Sequence, residues 1–278
     1  GEQNNMSYLL GSDPELVLLR DGELCEASEV LGSGYSSSDE FGIDGANVAA
    51  ELRPKPANDP IQAVENIRKA LGLGVSVAGE YDWQAGTGHG YHPLGGHIHL
   101  GLSNYTAAIG RKLIAYIGVP LLAMEPEVGR VERRRDHGYG NLNDVRQQNW
   151  GWEYRAPSSW LVSPATARIA MALSYLVARN IDALPAISQR EVSGLMSSGY
   201  ETDDRGRDNH WFDMAPQSEL IDRGKKALKI LCRLKDAKEV LAISKAGMPI
   251  RCTDMLRPWR MIAEVLGDWN EQRDVKKT

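Results

Sequence analysis

The chain has 278 residues, 42% of them hydrophobic and 25% charged, with a formal net charge of −5. Those proportions belong to a globular protein and exclude a disordered, collagen-like or coiled-coil chain. The negative balance argues against nucleic acid as a partner, and the one dense basic run, Arg130 to Arg135, is too short for a binding arm.

The first hundred residues read as strands. Ser7–Leu10 and Glu15–Arg20 are apolar runs separated by Gly-Ser-Asp-Pro, and Asp21-Gly22 signals a hairpin into Glu23–Ala27. A Gly/Ser-rich loop is expected over 32–38, then a strand over Asn47–Arg53 stopped by Pro54 and Pro56. Asp59-Pro60 opens a helix whose Ile61, Val64, Ile67 and Leu71 share a face, and Gly72 is expected to end it. Val75–Ala78 and His97–Leu102 read as strands around a glycine-rich loop, Gly86–Gly96.

Later segments are more helical. Tyr105–Met124 carries an apolar stripe that Pro120 should end or kink. Trp150–Arg155 reads as a strand, and Ser163-Pro164 caps a helix with Ile169, Leu173 and Leu176 on one side. Residues 186–215 read as a long loop, followed by amphipathic helices over about 217–245 and 254–272. Strands precede helices without regular alternation, so the expected fold class is α+β with an antiparallel sheet and flanking helices. The expected organisation is a strand-rich main region over 1–183, a loop or lid over 184–215 and a helical part over 216–278 of the same domain.

Apolar stretches at 113–124 and 169–178 fall short of the roughly 20 residues of a membrane span, and no export signal is visible. No membrane partner is therefore expected. Cys25, Cys232 and Cys252 lack any CxxC spacing, which argues against a disulfide framework or zinc ribbon and for structural cysteines in a reducing cytoplasm.

The chemistry sits in short apolar strands. Asp13-Pro14-Glu15, Glu51-Leu52-Arg53, His97-Ile98-His99 and Glu153-Tyr154-Arg155 each place two polar groups two residues apart. In a strand those two groups share a face. Alone, each pattern fits a turn or a solvated ion pair. Together in one sheet they would crowd a face with charges too costly to bury unpaired, so the face must bind metal ions, an anionic ligand or both. Carboxylates with a histidine suit Mg²⁺ or Mn²⁺, and neighbouring arginines suit phosphates. That combination indicates phosphoryl transfer from a nucleotide. No Walker-type loop is present, and Gly86-Thr-Gly-His-Gly90 has no helix directly after it.

The ordered set Gly11-Ser-Asp-Pro-Glu15, Gly45-Ala-Asn-Val-Ala-Ala-Glu-Leu-Arg-Pro54, Gly95-Gly-His-Ile-His-Leu-Gly101, Tyr139-Gly140 and Trp152-Glu-Tyr-Arg-Ala-Pro157 resembles the carboxylate–amine ligases of the glutamine synthetase superfamily. The nearest likeness is to the phage phiEco32-like type 2 amidoligases, over roughly residues 7–180. The resemblance implies a curved antiparallel sheet, bound Mg²⁺ and ATP, and phosphorylation of a carboxylate substrate to an acyl phosphate that an amine substrate attacks. It implies Asp13, Glu15, Glu51, His97 and Glu153 as metal ligands, His99 against the nucleotide phosphates and Arg53 beside them. It further implies Arg155 at the transferred phosphoryl group, with Arg135 and Arg146 flanking Tyr139-Gly140 at the phosphates and substrate. A phage-encoded ligase would act in the host cytoplasm, on small molecules, peptides or proteins.

Two rival classes remain. His-x-His also opens the zinc site of amidohydrolase barrels, but only His137 and His210 lie downstream, neither in a segment that reads as a strand. A non-catalytic ligand-binding or virion protein would have lost acidic or histidine ligands, and every expected position is filled.

Overall fold

A computed structural model describes residues 8–32, 40–45, 48–202, 205–206, 208–241 and 262–264. Its main sheet is antiparallel and built around β1 (Leu10–Arg20). Around it lie β2 (Glu23–Cys25), β3 (Phe41–Ile43), β4 (Ala50–Leu52), β5 (Asp82–Gly86) and, beyond a small hairpin of β6 (Gly88–His89) and β7 (His92–Pro93), β8 (Gly96–Leu100). The edge is formed by β9 (Val145–Gln148) and β10 (Gly151–Tyr154), with β10 against β8. The expected α+β class, an antiparallel sheet with flanking helices, is the fold observed.

β1 exchanges partners along its length: β8 at residues 10–14, β4 at 15–16, β5 at 17–19 and β2 at 18–20. The expected break at Gly-Ser-Asp-Pro is absent. Pro14 lies opposite Gly96, whose N–H donates to Pro157 O (2.9 Å) and whose O accepts from Trp160 Nε1 (2.9 Å). With both groups of Gly96 engaged elsewhere, the N–H that proline lacks is not missed. The Asp21-Gly22 hairpin forms as expected, both residues taking positive φ (53° and 81°).

Tertiary packing overrides several local signals. The helix begins at Pro60 with Asp59 accepting from Gln62 N (2.9 Å), but runs through Gly72 to Ala78, so Val75–Ala78 is helical and not a strand. Gly74 is where this helix meets the stacked Trp83 and Phe41 rings, and a Cβ there would collide with both. Ala107–Met124 stays helical past Pro120 because the turn before it, Ile114–Gly118, widens to a π-helix in which Val119 N–H bonds to Ile114 O. This stretch is apolar and long enough to cross a membrane, but 67% of it is buried inside the fold, as in a core helix. The helix Pro164–Arg179 has the expected Ser163 cap and packs against β1, β8 and the Pro60 helix.

The segment 186–215, expected as a loop, contains a helix (Gln189–Ser193) and a hairpin of β11 (Met196–Thr202) and β12 (Asp208–Met214). The hairpin packs on the π-helical turn Glu132–Asp136. The next helix ends at Leu231, short of 245, followed by Ala237–Leu241. The expected helix over 254–272 lies mostly outside the described residues, but Ile262–Glu264 within it is a strand, β13, paired with β5. Cys252 and most of the expected 32–38 loop also lie outside. Cys25 is a free thiol, whereas Cys232 is disulfide-bonded, so the cysteines no longer argue for a reducing compartment.

Candidate active site

Register decides which side chains meet. Residues directly opposed in an antiparallel pair project to the same face, as do residues two apart in one strand. Asp13 faces His97, Glu15 faces Glu51, and His99 lies between Gly11 and Glu153. Glu153 in turn faces Arg146. All four polar tripeptides therefore share one face, while Leu16, Leu52, Ile98 and Tyr154 between them point into the core. This was the central expectation from sequence, and the pairing meets it.

The side chains converge closely. His97 Nδ1 is 3.3 Å from Asp13 Oδ1 and 3.4 Å from Glu153 Oε1, its Nε2 is 4.0 Å from Glu15 Oε1, and His99 Nε2 is 3.2 Å from Asp13 Oδ2. Glu153 meets Arg146 (2.7 Å), Arg155 (3.1 Å) and Gln148. Arg53 Nε is 2.7 Å from Glu51 and its Nη2 donates to Ile43 O (2.6 Å). Glu15 accepts from Gly95 N (2.6 Å). A cleft of about 320 Å³ opens here, lined by Asp13, Asp44, Glu51, His97, His99 and Arg155 among others.

Two sets of donor atoms fall within 4.8 Å of one another: Asp13, His99 and Glu153; and Glu15, Asp44 and Glu51. In the first set Asp13 Oδ1, His99 Nε2 and Glu153 Oε1 are buried in ion-pair contacts that lack good hydrogen-bond geometry. Buried polar atoms are seldom left this way. Two carboxylate oxygens and an imidazole nitrogen this close together fit a divalent cation, and the all-carboxylate second set fits a hard one. His97, the histidine expected as metal ligand, stands between the two sets, and His99, expected at the nucleotide phosphates, is the one that joins the first set.

Electrostatics agree. Burial pushes the Glu15 carboxyl up to about 7. Burial, with the Asp13, Asp44 and Glu15 charges, pushes Glu51 up to about 9. Against the push of burial, His97 and His99 hold Asp13 well below the usual carboxylate range. Burial works to lower His97, yet Asp13, Glu15 and Glu153 raise it. A face this hungry for positive charge attracts protons or cations.

Not every expected residue is here. Arg135 is exposed and Tyr139 is 57% exposed, and neither lines the cleft. In the π-helical turn it is Arg133 and Arg134 that point inward. No described residue of 186–215 lines the cleft. His210 does lie in a strand, but in the separate hairpin opposite Tyr200, and His137 pairs with Glu132 (3.9 Å), so neither completes a zinc barrel site.

Three residues of the site escaped the sequence reading. Asp44 lies two past Gly42, which faces Glu51, so its signal was a carboxylate at i+2 from a glycine opposite a candidate ligand. Gln148 stands two after Arg146 on β9, a strand not foreseen. Trp150, in the turn between β9 and β10, sets its ring 5.9 Å from that of His99 and walls the cleft.

Comparison with known proteins agrees with the earlier resemblance. The sequence profile described as phage phiEco32-like COOH·NH2 ligase-type 2 matches residues 10–206. No curated protein matches the sequence. Among solved structures, the crystal structure of the complex between prokaryotic ubiquitin-like protein Pup and its ligase PafA is similar at 11% identity and a TM-score of 0.46, over 97% of this chain. This chain spans 63% of that one.

Proposed function

The chain belongs to the phage phiEco32-like COOH·NH2 ligase family of type 2, and from that premise we propose that it joins a carboxylate to an amine using ATP, through an acyl phosphate formed on the cleft face. The observation that carries this reading is the convergence of Asp13, His99 and Glu153, whose donor atoms lie within 4.8 Å of one another beside three arginines. Asp13, His99 and Glu153 would hold one Mg²⁺ or Mn²⁺, and Glu15, Asp44 and Glu51 a second, with His97 between them. Bound there, the ions would neutralise phosphate charge.

Arg155 and Arg146 converge on Glu153 from the cleft side and would orient the phosphoryl group by charge-assisted hydrogen bonds. Arg53, lying over Gly42 beside Glu51, would take the nucleotide phosphates with it. The substrate carboxylate oxygen attacks the γ-phosphorus and ADP leaves. The amine nitrogen would then attack the acyl carbon, the C–O bond to phosphate would break, and the nitrogen's proton would leave with the departing phosphate as the amide forms. Dependence on ATP makes the cytoplasm the expected place of action.

The test is ADP release from Mg·ATP against pools of carboxylates and amines, with mass detection of the amide. Release that requires both pools is expected. Tight Zn²⁺ binding with no Mg·ATP binding would overturn the proposal in favour of a hydrolase.

A further inference from the structure

Two motifs that stood out in the sequence, the Arg133–Arg135 run and Tyr139-Gly140, are left over once the cleft is described, because Arg135 and Tyr139 are exposed. We infer that the working residues of these motifs are Arg133 and Gly140, which act as positioning residues for Arg155 and Glu15. The inference rests on the ligase reading of the cleft only for its functional consequence.

The geometry runs through one backbone segment. Arg133, 2% exposed, donates through Nη1 to Ala156 O (2.9 Å), and Arg134 Nη2 donates to the same oxygen (2.9 Å). Ala156 directly follows Arg155. Its carbonyl, held by two guanidinium groups, fixes the end of β10 that carries Arg155, whose own N–H donates to Asp144 O (3.0 Å). The next residues hold the opposite strands: Pro157 O accepts from Gly96 N (2.9 Å), and Ser159 Oγ donates to Glu15 O (2.6 Å). A shift at Ala156 is therefore transmitted to the strand ends bearing Glu15 and His97.

Gly140 makes this possible. Its φ is +79°, a conformation that side chains disfavour, and a Cβ there would collide with Arg133 Nη1 and sit 3.1 Å from Ala156 O. Arg133 also carries its charge toward Glu15 and Asp144, and burial with the neighbouring Arg134 lowers its pKa to about 10. Holding a second buried cation next to Arg134 is costly. Arg134 with Glu125 already completes a buried ion pair, so Arg133 stands beside that pair and its hydrogen bond goes to Ala156 O.

The experiment compares wild type with Arg133→Lys, Gly140→Ala and Arg135→Ala. Affinity for Mn²⁺·AMP-PNP is measured by calorimetry well below the melting temperature. Amide hydrogen exchange is followed in peptides covering 155–159. Arg133→Lys keeps the charge but loses the guanidinium Nη1 that reaches Ala156 O, so affinity should fall about tenfold and exchange at 155–159 should quicken. Gly140→Ala should do the same, and Arg135→Ala should stay within about twofold of wild type in both. Wild-type affinity and exchange in Arg133→Lys, or an equal loss in Arg135→Ala, would overturn the inference. If Arg133→Lys does not fold, Gly140→Ala and Arg135→Ala still decide it. If wild type binds no nucleotide, the ligase reading fails, while the exchange arm still tests the positioning role.

Discussion

Glu125 and Arg134 are both fully buried, and nearly every charged atom of the pair is partnered: two contacts to each other (2.7 and 3.3 Å), Ser158 N on Glu125 (2.9 Å), and Gly140 O and Ala156 O on Arg134. The cleft face has buried charges too, yet it holds Asp13, His97, His99 and Glu153 in contacts of poor hydrogen-bond geometry and packs Glu15, Asp44 and Glu51 together. The difference separates two uses of buried charge. A satisfied pair closes on itself and fixes backbone. A crowded set of carboxylates is one that an added cation would complete, as the proposed metal role requires.

The sharpest test breaks the satisfied pair. Glu125→Ala strands the Arg134 guanidinium, and a loss of about 3–5 kcal/mol in urea unfolding is expected. If it costs little, the pair is not structural and the contrast collapses. The matching change on the cleft face is Glu153→Gln. Affinity for Mg·ATP should drop about a hundredfold, roughly 2.7 kcal/mol, while the unfolding midpoint holds steady or rises. A collapsed fold in Glu153→Gln would make Glu153 a structural partner of Arg146 and Arg155.

Mn²⁺ should also discriminate. At about a hundred times its Kd it should add about 2.7 kcal/mol to wild-type stability, and Glu51→Gln should lose most of that gain. A gain retained in Glu51→Gln would remove the carboxylate cluster from the binding site. Next in size, Arg155→Ala should lower kcat about tenfold beyond any change in KM, near 1.4 kcal/mol, because the phosphoryl group gains charge in the transition state. Equal changes would place Arg155 in ground-state binding.

The smallest effect is in pH. Although burial opposes it, Arg134 holds Glu125 below its ordinary value of 4.5. A depressed carboxyl contributes stability that is present above its unfolded value and lost as pH falls through the folded one. Wild type should therefore lose this share below about pH 4.5, and Glu125→Gln should show a flatter acid limb in chemical unfolding.

Much of the site was legible because strand alternation is a local rule. Within each strand the two polar groups of Asp13-Pro14-Glu15, Glu51-Leu52-Arg53, His97-Ile98-His99 and Glu153-Tyr154-Arg155 could be assigned to one side from two-residue spacing alone, since successive side chains alternate whatever the partners. The Asp21-Gly22 turn and the Asp59 and Ser163 caps were legible for the same reason: each is settled by the torsions and hydrogen bonds of a few neighbours. Tertiary structure decided everything that depended on a distant partner. Pro14 could lie in a strand because Pro157 and Trp160 occupied Gly96. Gly72 failed to end its helix because the next turn is packed under Trp83 and Phe41. Asp44 became a donor only when β3 paired with β4, and Arg133 turned inward instead of Arg135 because a π-helical turn rotated the run toward Ala156. Local chemistry chose the residue types of the site, and long-range pairing energy chose which of them meet.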